Sequence, residues 1–249
     1  MDCKLYHGDC LELLPDLSDE SVDMILCDLP YGVTACSWDK VIPIQPLWEQ
    51  YKRVIKPTGA ICLFANMRFG LQLINVNPGW YRYEWIWRKS KGTNFPQANV
   101  MPMRVHEFIF VFYKHKPTYN PQFWYSTPYS YKGGTRSNHH ATARPGSSCG
   151  EYAVENNHPD GRRYPHSVLE FKKQYTGHSS QKPVELLEYL IRTYTNENEL
   201  VLDNAMGSGS TGVASLKTNR RFIGMELNSE FYQTAKQRIE EQEYSEVAQ

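Results

Sequence analysis

The stretch "ELVLDNAMGSGSTG", residues 199–212, joins an apolar run to a loop that contains three glycines. Glycine adopts positive φ readily and lets a ligand approach the backbone closely. The residues that follow, "VASLKTN", predict a helix whose first N–H groups are free to bind a ligand. The loop is not a P-loop, because no Lys-Ser or Lys-Thr pair follows its last glycine. The stretch therefore predicts a strand, a ligand-binding loop and a helix, as in an α/β fold.

The spacing of Gly207, Gly209 and Gly212 fits the dinucleotide fingerprint G-x-G-x-x-G. Glu226 ends the next predicted strand, "RFIGMELN", where a carboxylate can bind ribose hydroxyls. These residues alone are equally compatible with NAD and with S-adenosylmethionine. A purely structural glycine turn is a third interpretation.

A second motif follows an apolar run near the N-terminus, in "SVDMILCDLPYG" at residues 21–32. The run is continuous rather than alternating, which is typical of a strand that is covered on both faces. Asp28, Leu29, Pro30 and Tyr31 come directly after it. A residue before proline is restricted to extended conformations, so Pro30 fixes the direction of the Leu29 carbonyl. The Asp28 carboxylate and this carbonyl are then two neighbouring acceptors beside the flat face of Tyr31.

This second motif complements the exocyclic amino group of a nucleobase, which carries two N–H donors on a planar ring. A solvated turn that begins with an aspartate is the structural alternative. Ligands bind at the carboxyl ends of strands in open α/β sheets, so we expect the Asp28 motif and the Gly207 loop to face one cleft. A typical NAD domain begins with its glycine loop, whereas here the loop comes after the other motif.

The remaining chain alternates between strand and helix patterns, apart from one long segment. Further predicted strands are "KLYHGD", "AICLFAN", "YEWIWRK" and "HEFIFVFYK". Predicted helices are "CLELLPDL", "IQPLWEQYKRVIK", "RFGLQLINV", "PVELLEYLIRTYT" and "SEFYQTAKQRIEEQE", the last capped by Ser229. The alternation predicts one doubly wound α/β domain with a mostly parallel sheet, formed by residues 1–113 and 176–249.

Residues 114–175 interrupt this alternation and are predicted to form an inserted basic, aromatic-rich lobe. The segment is rich in Tyr, Pro, Gly, Asn and Ser without a sustained period, and its aromatic residues argue against disorder. It carries nine Lys or Arg and four Asp or Glu residues, a net charge of +5, whereas the whole chain has a net charge of zero. A basic lobe on an acidic body is typical of proteins that contact phosphate groups.

Candidate contacts to phosphate groups lie in this lobe, although each charge is also explained as a solvated surface residue. Candidates for phosphate contact are Arg136, Arg144, Arg162, Arg163, Lys172 and Lys173. Candidate readers of base edges are Asn138, His139 and His140. A zinc site from His139, His140, Cys149 and His158 is disfavoured by their irregular spacing, so no metal is predicted.

The composition, with 41% apolar and 22% charged residues, is that of an ordinary globular protein. No apolar stretch approaches the roughly 18 residues of a membrane span, and "MDCKLYHGDC" lacks the features of a signal peptide. The six cysteines include no C-x-x-C pair, which favours reduced thiols. We therefore expect a cytoplasmic protein without a membrane partner.

Four blocks in this order resemble the β class of amino-group DNA methyltransferases, in which the catalytic tetrapeptide precedes the target-recognition region and the cofactor loop comes last. The blocks are "LYHGDCLELLPDLSDESVDMILCDLPYG", "HSSQKPVELLEYLIRTYT", "VLDNAMGSGSTGVA" and "RFIGMELN". The resemblance covers nearly the whole chain and implies that residues 114–175 form the target-recognition lobe. It implies a Rossmann-like fold and transfer of a methyl group from S-adenosylmethionine to an amine of a base flipped out of duplex DNA. A bacterial or phage-infected bacterial cell is the implied location.

The resemblance also implies roles for individual residues. Asp28, the Leu29 carbonyl, Pro30 and Tyr31 form the catalytic set that holds and stacks the flipped base. The cofactor set is Asp9, Cys10, Ser180, Lys182, Asp203, Ala205, Gly207, Gly209, Ser210, Thr211 and Glu226. In that set, Asp9 and Cys10 lie by the adenine, Ser180 and Lys182 near the methionine carboxylate, and Glu226 on the ribose. Two positions depart from the family pattern: Leu29 replaces the usual proline, and Ser179-Ser180 replaces Pro-Thr.

The target base and the partners follow from the same resemblance. A serine at the first tetrapeptide position tends to accompany cytosine in this family, so Asp28 favours N6 of adenine, with N4 of cytosine as the close alternative. A nicotinamide-dependent oxidoreductase is a more distant alternative that leaves the Asp28 motif and the basic lobe unexplained. A catalytically inactive DNA-binding module is another. The expected partners are double-stranded DNA, a second copy of the chain and a cognate restriction endonuclease, as in restriction-modification systems.

Overall fold

The computed structural model describes residues 2–32, 40–127, 160–172 and 181–247. The chain divides into a larger unit, Met1–Asn120 with His166–Gln249, and a smaller unit, Pro121–Pro165. Within the described residues, the larger unit contains an eight-stranded sheet, and the smaller unit contains a two-stranded sheet.

The bounds of the elements are as follows. The described strands are β1 (Cys3–His7), β2 (Val22–Cys27), β3 (Ile55–Ala65), β4 (Tyr81–Thr93), β5 (Arg104–Phe112), β6 (Trp124–Tyr125), β7 (Arg162–Arg163), β8 (Val168–Glu170), β9 (Leu200–Asp203) and β10 (Arg221–Glu226). The described helices are α1 (Cys10–Leu13), α2 (Ile44–Val54), α3 (Met67–Val76), α4 (Val184–Tyr194), α5 (Ser210–Lys217) and α6 (Ser229–Val247), with 3₁₀ turns at Leu14–Asp16 and Phe95–Gln97. Among the helices of the described chain, none combines the length and apolarity needed to cross a bilayer.

The strand order of the large sheet is β1-β10-β9-β2-β3-β5-β4-β8. The first five strands in this order, β1, β10, β9, β2 and β3, are each parallel to the next. Strand β5 is antiparallel to both β3 and β4, and β8 is parallel to β4. The prediction of a doubly wound, mostly parallel sheet is confirmed.

The position of β9 between β2 and β10 brings the two sequence motifs together. Ile25 in β2 pairs with Leu202 in β9, and Asp203 in β9 pairs with Gly224 in β10. Because these strands are parallel, their carboxyl ends lie at one edge of the sheet. The loops that follow all three strands therefore leave from the same edge.

Strand β2 is buried on both faces, as its continuous apolar pattern predicts. Met24 and Leu26 pack with residues of α4, α5 and α6 on one face. Ile25 and Cys27 pack with residues of α2 and α3 on the other. Burial of one Leu or Ile side chain contributes about 1.5–3 kcal/mol, so β2 is a firm anchor for the residues that follow it.

The boundary between α2 and β3 differs from the prediction. We predicted a helix through Lys56 and a strand from Ala60, whereas α2 ends at Val54 and β3 begins at Ile55. Pro57 disfavours the helical conformation at the residue before it. This restriction outweighs the helical spacing of the apolar residues, and the chain turns directly into the strand.

The start of α6 also differs from the prediction, which made Ser229 its cap. The side-chain oxygen of Asn228 accepts hydrogen bonds from the N–H groups of Glu230 (2.9 Å) and Phe231 (3.1 Å). Asn228 is therefore the capping residue, because its carboxamide reaches the first free N–H groups of the helix.

The segment predicted as an insertion contributes to both units. Strand β8 pairs in parallel with β4 in the large sheet. In the smaller unit, Trp124 pairs with Arg163 and Tyr125 with Arg162 in an antiparallel ribbon. The role of residues 114–175 as a target-recognition lobe, and its bounds, stay a prediction.

Candidate active site

A cavity of about 650 Å³ lies at the carboxyl edge of β2, β9 and β10 in the larger unit. This volume is in the range of roughly 300–1,000 Å³ that is typical of small-molecule sites. Both predicted motifs contribute to it, together with most of the predicted cofactor set. The lining includes Asp9, Cys10, Asp28, Leu29, Pro30, Tyr31, Lys182, Asp203, Ala205, Gly207, Ser210, Thr211 and Glu226.

Both carboxylate oxygens of Asp28 accept hydrogen bonds from side chains of the cavity. Oδ1 accepts from the Tyr31 hydroxyl, and Oδ2 accepts from the Lys182 ammonium. The Tyr31 ring packs against Phe69, with the ring centres 5.3 Å apart. Leu29 as a whole residue is only 3% exposed, and it is one of the residues that line the cavity.

Lys182 also approaches a second carboxylate. Its ammonium lies 3.4 Å from Oε2 of Glu107, and Glu107 forms an ion pair with Lys89. Asp28, Lys182, Glu107 and Lys89 form a formally neutral set of four charges, which we call the charge cluster. Its members come from β4, β5, the loop after β2 and the residues before α4.

Within the charge cluster, the pKa values of Lys182 and Glu107 are shifted in the directions that keep these two groups ionised. Burial alone would lower the pKa of Lys182, but the carboxylates of Asp28 and Glu107 outweigh burial and raise it. Burial would raise the pKa of Glu107, yet Lys182 and Lys89 together lower it. Burial and the charge of Asp28 raise the pKa of Tyr31, so its hydroxyl stays protonated as a donor.

The glycines of the loop have different surroundings. Gly207 (φ +53°) has none of the described atoms within 4 Å of the place where a Cβ would lie, so its backbone is open to a ligand. At Gly209 (φ +80°), a Cβ would lie 2.9 Å from Cβ of Ala235, and at Gly212 it would lie 2.4 Å from Ile239. Gly209 and Gly212 therefore allow close packing of the loop and α5 against α6.

The Asp203 carboxylate is hydrogen-bonded to both ends of the glycine loop. It accepts hydrogen bonds from the Ala205 N–H (3.2 Å) and from the Thr211 hydroxyl (2.6 Å). Burial raises the pKa of Asp203 to about 6. Asp203 and Thr211 thus connect the start of the loop with the first turn of α5.

Glu226 is held by two backbone amides. Oε2 accepts from the Gly207 N–H (2.9 Å), and Oε1 accepts from the Asn228 N–H (2.8 Å). Burial raises the pKa of Glu226. A carboxylate has about four lone-pair positions, so Glu226 retains capacity to accept from two hydroxyls of a ligand.

The loop after β1 is connected to the loop after β9. Asp9 caps α1 by accepting from the Leu11 N–H (2.9 Å). Asn204 donates to Sγ of Cys10 (3.4 Å) and accepts from the Tyr51 hydroxyl (2.5 Å). Burial raises the pKa of Cys10 to about 11, so its sulfur is a protonated packing group rather than a nucleophile.

Sequence reasoning missed Glu107, Asn204 and Arg238. Arg238 in α6 donates to the Ser208 carbonyl and to the Ser208 hydroxyl (3.1 Å), which ties the loop to the helix. Glu107 had a usable signal, because it is a charged residue near the start of an apolar strand, "HEFIFVFYK". No sequence pattern pointed to Arg238, since it is one of several charged residues in a polar helix.

Several predicted contacts lie outside the described residues. These are Ser180, Arg136, Asn138, His139, His140, Arg144 and Lys173, and their roles stay predictions. Arg162 and Arg163 belong to the smaller unit, where the Arg162 guanidinium packs over the Phe123 ring at 4.6 Å. Lys172 follows β8 in the larger unit.

The fold and the cavity define a Rossmann-like α/β protein with a site for a nucleotide-type cofactor beside an aspartate and a tyrosine. The chain belongs to the N6/N4 family of DNA methylases, whose family model, described as DNA methylase, matches residues 22–237. This membership confirms the resemblance found in the sequence. It also favours S-adenosylmethionine over NAD as the cofactor of this chain.

Curated relatives of similar length carry names of the same kind. The Type II methyltransferase M.HpaI of Haemophilus parainfluenzae is 28% identical, over 96% of this chain and 75% of the relative. M1.MboII of Moraxella bovis is also 28% identical, over 93% of this chain and 94% of the relative. The DNA adenine methyltransferase YhdJ of Escherichia coli K12 is 27% identical, over 95% and 82%.

Solved structures share the fold. The complex of M1.HpyAVI with S-adenosylmethionine matches with a TM-score of 0.66 and 24% identity, over 95% of this chain and 98% of that one. The cytosine-N4-specific PvuII DNA methyltransferase matches with a TM-score of 0.68 and 15% identity, over 95% and 86%. The predicted methyltransferase fold is therefore confirmed.

Proposed function

We propose that this chain methylates N6 of adenine in duplex DNA, with S-adenosylmethionine as the methyl donor and with the target base flipped into the cavity. One observation carries this function. Asp28 and the loop of Gly207, which are far apart in the sequence, line the same cavity together with Glu226. An acceptor for an amine and a loop for a cofactor thus share one cavity, as direct transfer between two bound ligands requires.

The residues of the cavity fit S-adenosylmethionine. The start of α5 presents N–H groups with partial positive charge, which suit the methionine carboxylate. Gly207 leaves its backbone open, and Glu226 has acceptor capacity for the ribose hydroxyls. Asp9 and Cys10, at the loop after β1, are our candidates for the adenine side. Lys182, which the sequence places near the methionine carboxylate, lines the cavity, and its ammonium contacts Asp28.

S-adenosylmethionine, when bound, supplies a methyl group activated by a sulfonium. The Asp28 carboxylate accepts a hydrogen bond from one N–H of the receiving amine. This hydrogen bond draws electron density to the nitrogen and reduces the delocalisation of the nitrogen lone pair into the ring. The Leu29 carbonyl, held by Pro30, is the proposed second acceptor, and the Tyr31 ring contacts the face of the base. The amine has to lose one proton, and the Asp28 carboxylate is placed to receive it.

Adenine is favoured over cytosine by the aspartate at the first position of the tetrapeptide. The relative YhdJ is named as an adenine methyltransferase. Cytosine N4 needs the same two acceptors, and the PvuII enzyme with this fold is cytosine-N4-specific, so cytosine is the second candidate.

We further propose that residues 114–175 contact the DNA. Base flipping costs a few kcal/mol, and contacts of basic side chains with phosphates offset this cost. Arg162, Arg163 and Lys172 are the described candidates. The names of the Type II relatives support a bacterial cytoplasmic role beside a cognate restriction endonuclease, and a homodimer completes the proposal.

Transfer of tritium from labelled S-adenosylmethionine to duplex DNA, followed by nucleoside analysis, tests this function. We expect label in N6-methyladenine, and sequencing of the product for modified positions then yields the recognition site. Label in N4-methylcytosine would replace adenine by cytosine. Label in RNA or protein with unlabelled DNA would contradict the proposal.

A further inference from the structure

Asp28 already has a cationic partner at the atom that a target amine needs. Its Oδ2 accepts from the Lys182 ammonium, while its Oδ1 accepts from the Tyr31 hydroxyl. The Lys182 side chain is 11% exposed, and its ammonium lies 5.1 Å from the centre of the Phe64 ring. Lys182 is therefore held in the cavity wall and is not a mobile surface lysine.

Glu107 offers Lys182 a second carboxylate within reach. Its Oε2 lies 3.4 Å from the Lys182 ammonium. Glu107 is on β5, which is fixed between β3 and β4, and its ion pair with Lys89 keeps it charged and in position. A lysine between two carboxylates needs only a small movement to exchange its closer partner.

The position of this ammonium matters for methyl transfer. A lysine bonded to Asp28 weakens the carboxylate as an acceptor for the amine, because it neutralises the charge that attracts the N–H group. It also repels the positive charge that develops on the amine nitrogen, since like charges a few ångströms apart oppose each other in a partly buried site. Transfer is therefore favoured when Lys182 lies nearer to Glu107 than to Asp28.

We propose that Lys182 is a placeholder for the target amine and that Glu107 receives it when the base enters. Lys182 keeps the Asp28 carboxylate oriented beforehand, and Glu107 then holds the ammonium away from the reacting nitrogen. Both are positioning residues, because they act through Asp28. This role rests on the proposed function, since the amine belongs to the flipped base.

The test is the single-turnover rate of methyl transfer to duplex DNA, extrapolated to saturating S-adenosylmethionine and DNA. It compares the unaltered protein with Glu107→Gln, Lys182→Met and the double variant. We expect Glu107→Gln to lower the rate about 10- to 100-fold, because Lys182 then stays on Asp28. We expect the double variant to be faster than Glu107→Gln, because the competing ammonium is gone.

Circular dichroism sets a temperature at which all variants are folded, and calorimetry gives their affinity for S-adenosylmethionine. Glu240→Gln is the matched control, because it removes a carboxylate from a half-exposed ion pair with Lys236 (3.9 Å) outside the cavity lining, and it should keep the original rate. If Glu107→Gln does not fold, Glu107→Asp replaces it, with a smaller loss that Lys182→Met again relieves.

The outcomes distinguish a failure of this inference from a failure of the proposed function on which it rests. A double variant no faster than Glu107→Gln overturns the placeholder role, as does Glu107→Gln at the original rate. A structural role of Glu107 alone lowers thermal stability and leaves the rate of the folded protein unchanged. An unaltered protein that labels no DNA overturns the proposed function itself.

Discussion

The two halves of the cavity are held in different ways. In the glycine-loop half, main-chain groups and close packing fix the geometry, as in the bond from the Gly207 amide to Glu226 and the contact of Gly209 with α6. In the Asp28 half, side-chain ion pairs connect distant parts of the chain through Lys182 and Glu107. A fixed backbone suits a cofactor that binds in one pose, whereas exchangeable ion pairs suit a base that enters and leaves.

The largest expected effect lies in the charged half. Asp28→Ala should lower methyl transfer to DNA by about 10³-fold, because the acceptor of the amine and of its proton is lost. Single-turnover transfer from labelled S-adenosylmethionine measures it. The cofactor half does not depend on this side chain, so calorimetry should show unchanged affinity for S-adenosylmethionine. Turnover at the original rate would show that Asp28 has no catalytic role.

In the glycine-loop half, the expected effect is on stability. Gly209→Ala should lower the free energy of unfolding by about 2–4 kcal/mol, because it combines a left-handed backbone with a Cβ 2.9 Å from Ala235. Gly207→Ala is the matched control, since it has a similar φ but open space, and it should cost only about 1–2 kcal/mol. Urea unfolding of both variants measures the difference, and equal losses would contradict the packing role.

The pH dependence of stability tests the buried carboxyl of the loop. The pKa of Asp203 is raised to about 6 in the folded protein, above the ordinary value, so the folded state binds this proton more tightly. Its contribution to stability is present below pH ~4 and is lost as the pH rises through about 6. Relative to Asp203→Asn, the original protein should lose about 2 kcal/mol of unfolding free energy between pH 4 and 7. Parallel curves for the two proteins would refute this.

The smallest expected effect comes from the contact between α6 and the loop. Arg238→Ala should weaken binding of S-adenosylmethionine roughly tenfold, because charge-assisted hydrogen bonds to Ser208 are lost. Calorimetric titration measures it. Lys236→Ala, which removes a half-exposed cation paired with Glu240 at 3.9 Å, is the control and should bind normally. An equal effect of both changes would point to charge rather than to the loop contact.

The sequence predicts the glycine-loop half better than the charged half, for a physical reason. The apolar run of β2 and the glycine spacing are local patterns, and local patterns determine a strand, a loop and the edge of the sheet at which they lie. The contact of Lys182 with Glu107 depends on β5 being inserted antiparallel between β3 and β4. No period of apolar residues specifies that order, so the charge cluster was not predicted.

Short elements and caps were missed for a related reason. Strand β8, Val168–Glu170, forms through its pairing with β4, and three residues are too few to show a pattern. The cap of α6 depended on which of two adjacent polar side chains reached the first N–H groups, and Asn228 did so rather than Ser229. Both outcomes are set by tertiary geometry and not by residue preference alone.

The pairing of β1 with β10 bears on how the protein is made. Cys3 pairs with Phe222 and His7 with Glu226, so β1 has to wait for a strand that is synthesised more than two hundred residues later. Among the described strands β1 pairs only with β10, so until β10 is made β1 is unpaired. Unpaired strands attract chaperones and aggregate. A nascent chain that has not reached β10 also lacks Glu226. The cavity is therefore complete only after β10 has been synthesised.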